Sequence, residues 1–413
     1  MVPVGFRKVM GIMPVSRRGF LSGRVLPFTG ALVASRGMEA GESNATQDRA
    51  GRANLPPGVP EIRINSNENP IGPGKTVLEA IVGKFPEAGR YPFNSTPNDA
   101  ALVSALASKY RIKPENVVLG GGSQEILKNA VRAFTSPSRG LVTGAPTFEN
   151  CAGTAKRLGH PMTEITVDAG FRLDLDSMVA ASKEAGLIFF NNPNNPTATV
   201  HGARSVADFV ARVRQISPDT VILIDEAYHD YVADSSYESA LPLALDTPNL
   251  FVTRTFSKAY GMAGMRIGYA IGRADTLKPL EKLRTPYGLS VFGIAAAITA
   301  LNDPKHIAAE RARNTSVRAY TLQALRELGC KTGDSQANFV WVDVGKPAKD
   351  FREACAKEGV IVGRDFPPFE KTHVRISIGT QDEMRKAVAV FRRVLRPVST
   401  TTTGSRIEET SWH

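Results

Sequence analysis

The chain is poor in cysteine. Only Cys151, Cys330 and Cys355 occur among 413 residues, at no close spacing. That argues against a disulfide framework and against a zinc site, though it does not identify a redox compartment. Long apolar runs are also missing. None approaches the ~18 to 20 residues that cross a bilayer, so no integral membrane span is expected. No internal repeat is evident, which sets aside repeat architectures. Nor is there a block of basic residues interleaved with aromatics. The formal charge is +11, but +5 of it falls in residues 1–55, leaving +6 spread over the rest. That excess reads as a leader plus some attraction for anionic ligands, not as a nucleic-acid footprint. What is present is a chain with 42% hydrophobic residues, long enough for one large and one small domain around a substantial core.

The first residues read as an address. Ser16-Arg17-Arg18-Gly19-Phe20-Leu21 resembles the twin-arginine export signal of bacteria. It follows a basic start (Arg7, Lys8) and precedes a weakly apolar stretch, Val25 to Ala34, too short for a membrane helix. Cleavage is expected near Ala34 or Ala40, although no clean site is visible. The expectation is a periplasmic or exported protein that meets the twin-arginine machinery; the alternative is a disordered basic extension on a cytoplasmic one. Residues 1–55 are therefore set apart as leader and flexible spacer. A polar tail, residues 398–413, is expected to be disordered.

Between residues 115 and 275 one arrangement recurs: a short apolar run, then a polar loop. Val117-Val118-Leu119 leads into Gly120-Gly121-Gly122-Ser123-Gln124, and Leu187-Ile188-Phe189-Phe190 into Asn191-Asn192-Pro193-Asn194-Asn195-Pro196-Thr197. Val221-Ile222-Leu223-Ile224 leads into Asp225-Glu226-Ala227-Tyr228. Such runs, apolar on both faces, fit strands of a mostly parallel sheet covered by helices. Ligands of such sheets sit at the carboxyl ends of the strands, where these loops lie.

A fourth loop carries the strongest chemistry. Lys258 lies in Thr255-Phe256-Ser257-Lys258-Ala259-Tyr260-Gly261, with Arg266 eight positions later, between apolar runs at 250–252 and 267–271. Ser257 and Thr255 can donate hydroxyl hydrogen bonds, and Arg266 can offer a bidentate guanidinium to phosphate. An amine beside a phosphate site points to Schiff-base chemistry with pyridoxal phosphate; the competing reading is a surface lysine in an ordinary loop. Gly122, Ser123 and Gln124 open a helix whose N-terminus can hold a phosphate. Asp225 ends an apolar strand and needs a cationic partner, which a protonated pyridine nitrogen supplies; a helix N-cap is the alternative. Tyr228 and Asn195 can reach the cofactor's phenolate oxygen. Phe148 offers a ring for stacking or is a core side chain. Arg375, in Val374-Arg375-Ile376-Ser377-Ile378, suits a substrate carboxylate or a structural ion pair. Gly72-Pro73-Gly74-Lys75-Thr76 mimics the end of a P-loop, but Asn69 stands where its first glycine belongs and no strand precedes it; a turn opening a helix is the better reading.

Together these residues resemble the fold-type I pyridoxal-phosphate aminotransferases of class I/II, most closely the histidinol-phosphate aminotransferase branch. The resemblance covers roughly residues 61–395. It rests on Asn67-Glu68-Asn69-Pro70, Arg90-Tyr91-Pro92, Asn194-Asn195-Pro196-Thr197, Asp225-Glu226-Ala227-Tyr228, the Lys258 loop through Gly268, and Val374 to Gly379. It implies a three-layer αβα sandwich with a mostly parallel sheet plus a smaller α+β domain. On that scheme an arm at 56–90 joins the small domain, 91–285 form the large cofactor domain, and 286–397 supply an interdomain helix and the small C-terminal domain. It further implies a Schiff base at Lys258, Asp225 on the pyridine nitrogen, and phosphate held by Ser123, Gln124, Thr255, Ser257 and Arg266. Tyr91 would reach the other subunit's phosphate in a homodimer, and Asn67, Arg375 and Arg364 would contact substrate. No metal is implied. The activity expected is amino transfer between a small-molecule amino donor and a 2-oxo acid. Alternatives are a decarboxylase, lyase or cyclising synthase on the same fold, or a silent cofactor binder, against which the joint presence of Lys258, Asp225, Tyr228 and Arg266 speaks. The chain departs from the pattern at Ala198, where glycine is usual, and at Cys151, where an aromatic is frequent. Arg364 equally suits a surface ion pair. An exported enzyme is also an odd host for a pathway whose intermediates are cytoplasmic.

Overall fold

The computed structural model describes residues 61–92 and 98–395; the twin-arginine leader, the spacer and the C-terminal tail lie outside them. In chain order the strands are β1 (Ile62–Ile64), β2 (Val117–Gly120), β3 (Gly140–Ala145), β4 (Met162–Thr166), β5 (Ala185–Asn191) and β6 (Val221–Asp225). They continue with β7 (Leu250–Thr255), β8 (Gly268–Gly272), β9 (Lys331–Thr332), β10 (Phe339–Asp343), β11 (Val360–Val362) and β12 (His373–Ser377). Seven of them form one sheet in the order β2-β8-β7-β6-β5-β3-β4. The run from β7 to β4 is parallel throughout, and β8 is antiparallel to both its neighbours. The carboxyl ends of β2, β5, β6 and β7 therefore share one edge of the sheet, and β8 begins there.

The apolar runs are continuous because both faces of this sheet are covered. Every residue of β5 and β6 is buried. Alternate side chains serve opposite layers, as strand geometry requires. Ile188, Phe190, Ile222, Ile224 and Val252 pack with Val206, Phe209, Val210 and Val213 of the helix Ala203–Ile216. Leu187, Phe189, Leu223 and Phe251 pack on the other side with Ile126, Leu127, Ala130 and Val131 of the helix Ser123–Phe134. At about 1.5–3 kcal/mol per fully buried side chain, these two layers are the main stabilising term of the sheet. Three layers, αβα, result.

A separate core lies under the C-terminal elements. β12, β10 and β9 form an antiparallel sheet, and β1 pairs in parallel with β11. Val340, Val342, Val374, Ile376, Phe351 and Phe391 pack there with Ile62 and Ile64 of β1. The N-terminal arm is thus divided. Its strand joins the C-terminal core, whereas Val77 of the helix Lys75–Gly83 packs with Ile294, Ala296 and Ala297 of the helix Val291–Leu301 beside the large sheet. Gly74 is the N-cap of that arm helix, so the P-loop-like sequence is a turn opening a helix. None of the described helices is long and apolar enough to cross a membrane.

Candidate active site

The edge where four strands end and β8 begins carries a cradle for an anion. Gly122 stands at φ +75° between β2 and the helix Ser123–Phe134, and no side chain caps that helix. A Cβ on Gly122 would lie 2.3 Å from Arg266 Nη2, and one on Gly268 would lie 2.2 Å from Ser123 N. Only glycine lets the Arg266 guanidinium and the helix N-terminus approach so closely. Arg266 Nη1 donates to Ser257 Oγ at 3.3 Å and to the Ala263 carbonyl at 2.8 Å. Thr255 Oγ1 donates to Ser257 Oγ at 2.9 Å. Guanidinium, hydroxyls and backbone N–H groups thus converge as a phosphate requires. The Gln124 side chain is exposed at the start of this helix.

Lys258 follows β7 on this edge. Its Nζ donates to the Ser66 carbonyl at 3.1 Å and lies 5.6 Å from the Tyr228 ring centroid. Burial, reinforced by Arg375, lowers its pKa to about 7, which favours the neutral, nucleophilic amine over the ammonium of an ordinary lysine. Asp225 ends β6 and is buried. Thr253 Oγ1 donates to its Oδ1 at 2.9 Å, and Asn191 Nδ2 reaches Oδ2 at 3.4 Å. Burial raises this carboxyl to about 7. No helix starts at Asp225, and the short 3₁₀ turn His229–Tyr231 is preceded by Tyr228, so the N-cap alternative is not realised. A buried carboxylate whose hydrogen-bond donors among the described residues are neutral fits a protonated ring nitrogen, which would supply a directly bonded cation.

The residues 65–69 run across this group and bind it from above. The Asn65 carbonyl accepts from Arg375 Nη2 and the Ser66 carbonyl from Lys258. Asn67 Nδ2 donates to Tyr228 Oη at 3.1 Å, and Asn69 Nδ2 donates to the Ala259 carbonyl at 3.1 Å. Arg375 Nη1 also donates to Asn195 Oδ1 at 2.7 Å, tying β12 to the loop after β5. Phe148 is half-buried at the rim of the layer under the sheet, and its neighbour Thr147 donates to Asn194 at 2.7 Å. Arg364 forms an ion pair with Glu149, and its guanidinium carbon lies 4.1 Å from the Phe366 ring centroid. Tyr91 stands apart, 65% exposed and 5.2 Å from Tyr287, centroid to centroid.

Two departures resolve differently. Ala198 adopts φ +62° and is fully buried, so the strain expected of alanine at a glycine position is present. Cys151 is a core side chain whose Sγ faces the Leu127 carbonyl at 3.8 Å.

Several members were not read from the sequence. Thr253 shares a face of β7 with Thr255 by the strand's two-residue period, and the parallel register sets it opposite Asp225. Ser377 shares a face of β12 with Arg375 in the same way. Those periods were available signals. That Asn338 donates to the Asn67 carbonyl at 3.0 Å was not readable, because the two are 271 positions apart.

Comparison with known proteins agrees with this geometry. The model of the family described as aminotransferase class I and II matches residues 59–391. A histidinol-phosphate aminotransferase of Moorella thermoacetica is 32% identical over 336 residues, covering 81% of this chain and 85% of that protein. That of Bacillus subtilis is 32% identical over 335 residues, covering 81% and 91%. The solved structure of histidinol-phosphate aminotransferase from Sinorhizobium meliloti in complex with pyridoxal-5'-phosphate superposes with a TM-score of 0.77 at 27% identity, covering 86% of this chain and 95% of that one. The phosphate cradle, the buried Asp225 and the Lys258 amine suit that cofactor. The chain belongs to the class I and II aminotransferases, fold-type I enzymes dependent on pyridoxal phosphate, in the branch that resembles histidinol-phosphate aminotransferases.

Proposed function

We propose that this aminotransferase draws its amino group from an amine with an anionic end, of the histidinol phosphate kind, and passes it to a 2-oxo acid. The observation that carries the reading is the meeting of Lys258, Asp225, Tyr228 and Asn195 with Arg375 at one edge of the sheet. Bound pyridoxal phosphate supplies an electron-accepting ring. Asp225 holds the charge on its ring nitrogen, Tyr228 and Asn195 serve its phenolate oxygen, and Ser123, Gln124, Thr255, Ser257 and Arg266 hold its phosphate. Lys258 moves the proton at the substrate's α-carbon. Arg375 takes a carboxylate or phosphate, and Arg364, exchanging Glu149 for the ligand, takes a distal anion. Both guanidiniums flank Phe366, at 4.9 and 4.1 Å from its centroid, which supports a shared anion site.

An absorbance spectrum with a panel of amines tests this. A band near ~420 nm should bleach toward ~330 nm with histidinol phosphate and return with a 2-oxo acid. A band that no donor bleaches would favour a decarboxylase or lyase. Lys258→Ala should abolish turnover in a folded protein, and transamination at near wild-type rate would sink the mechanism.

The working unit in this reading is a homodimer. Leu78 and Val82, one turn apart on the arm helix, are 50% and 62% exposed, and Ile71, Phe85, Tyr91 and Tyr287 are exposed too. Such a set of large apolar side chains suits a second copy of the chain, with Tyr91 reaching its phosphate. The leader is read as a twin-arginine export signal, with a cytoplasmic enzyme as the alternative. A reporter fused behind residues 1–45 should be exported only while Arg17 and Arg18 are intact, and full export of the double lysine variant would count against it.

A further inference from the structure

We infer that Asn67 is a positioning residue for Tyr228: its side-chain amide occupies a lone pair of the phenol oxygen and so directs the Tyr228 proton toward the cofactor. The inference rests on the site proposed above and departs from the expectation that Asn67 contacts substrate.

The hydrogen bonds leave the amide little choice. The Asn67 backbone N–H donates to Ser377 Oγ at 2.8 Å, which takes a lone pair of that hydroxyl. The hydroxyl's one proton then goes to Asn67 Oδ1, also at 2.8 Å. With its oxygen so engaged, the amide presents Nδ2 to Tyr228 Oη at 3.1 Å. Asn338 Nδ2 donates to the Asn67 carbonyl and fixes the backbone. All four residues are buried. Asn67 stands at φ +54°, a conformation that asparagine tolerates better than most residues. Burial pushes the Tyr228 phenol up to about 12, so it has a proton to donate at neutral pH. A hydroxyl that accepts one hydrogen bond donates the next more strongly. Asn67 therefore both aims and strengthens the bond from Tyr228 to the cofactor's phenolate oxygen.

With the cofactor bound, the Lys258 nitrogen, when protonated, would compete with Tyr228 for that same oxygen. Weakening the Tyr228 bond should raise the pH at which the loaded enzyme's visible band converts. The experiment is a spectrophotometric pH titration of the loaded, substrate-free enzyme for wild type, Asn67→Gly and Tyr228→Phe, and for the double variant. Glycine keeps the left-handed backbone and removes the amide. Asn67→Gly should raise the midpoint by ~0.3 to 0.7 pH unit, the size of part of one hydrogen bond. In the Tyr228→Phe background it should have no further effect. Ser377→Ala, which frees the amide without touching Tyr228, should move the midpoint the same way by less, and decides the matter if Asn67→Gly does not load. An unmoved midpoint, a fall, or an equal shift with and without the Tyr228 hydroxyl would overturn the inference. A wild-type protein that shows no visible band with pyridoxal phosphate would instead overturn the reading beneath it.

Discussion

Lys258 and Asp225 titrate near the same pH from opposite directions, because burial disfavours the charged form of each. In the cofactor-free protein this makes stability depend on pH. Folded Asp225 keeps its proton up to about 7, against 3.8 when unfolded, so the folded chain holds more protons in that window and stability falls as pH rises through it. Folded Lys258 loses its proton near 7, against 10.5 when unfolded, so from about 7 to 10.5 the unfolded chain holds more and stability recovers. Asp225→Asn removes the falling limb. Thermal melts should show the variant gaining on wild type steadily from pH 4 to 7, and a constant difference would refute the burial argument. Arg375→Ala leaves Asn195 and Asn65 without their charged donor and should raise KM for carboxylate substrates roughly tenfold or more. An unchanged KM removes Arg375 from the substrate site.

At the scale of elements, the turn after β5 shows two effects in balance. Ala198 at φ +62° costs about 1–2 kcal/mol of backbone strain. Its methyl is buried against Tyr228, Tyr231, Ala259 and Phe339, which offsets about 0.8 kcal/mol, and glycine there would lose about 0.5–1 kcal/mol of chain entropy. Ala198→Gly should therefore change stability by less than ~1 kcal/mol in urea titration, whereas Ala198→Val, β-branched at positive φ, should destabilise strongly. Arg254 donates from Nε and Nη2 to Glu226 Oε2, at 3.0 and 2.8 Å, behind the Asp225 loop. Both are buried. Arg254→Met leaves the buried carboxylate without its countercharge, although Ser239 Oγ and the Ala240 N–H still donate to it. The variant should cost ~3–5 kcal/mol, while adding Glu226→Leu should recover part of the loss. The strands and their polar ends were legible in the sequence, since a short continuous apolar run closed by a polar loop marks a strand buried on both faces. The 65–69 crossing was not, because its partners lie at position 228 and later, 161 or more positions away, and no local pattern announces them.

The whole molecule brings two cores to one site. Residues of the large sheet supply Lys258, Asp225, Tyr228 and Asn195; β12 supplies Arg375 and Ser377, and the crossing 65–69 laces them together. If the exposed arm helix is a subunit contact, Val82→Asp buries a charge there. Sedimentation should then show monomers, with weakened cofactor binding if Tyr91 acts across the interface. A variant that stays dimeric would place the contact elsewhere.

The sequence alone set the class of the sheet, pointed to the loops that carry chemistry and singled out Lys258 as the Schiff-base candidate. It could do so because strand burial and loop composition are local properties of the chain. The folded arrangement was needed to show that Arg364 pairs with Glu149, that Cys151 belongs to the core, and that Asn67 donates to Tyr228. Each of these is settled by which groups meet across 24 to 310 positions of chain, and a side chain's role depends on whose proton or charge it finds there.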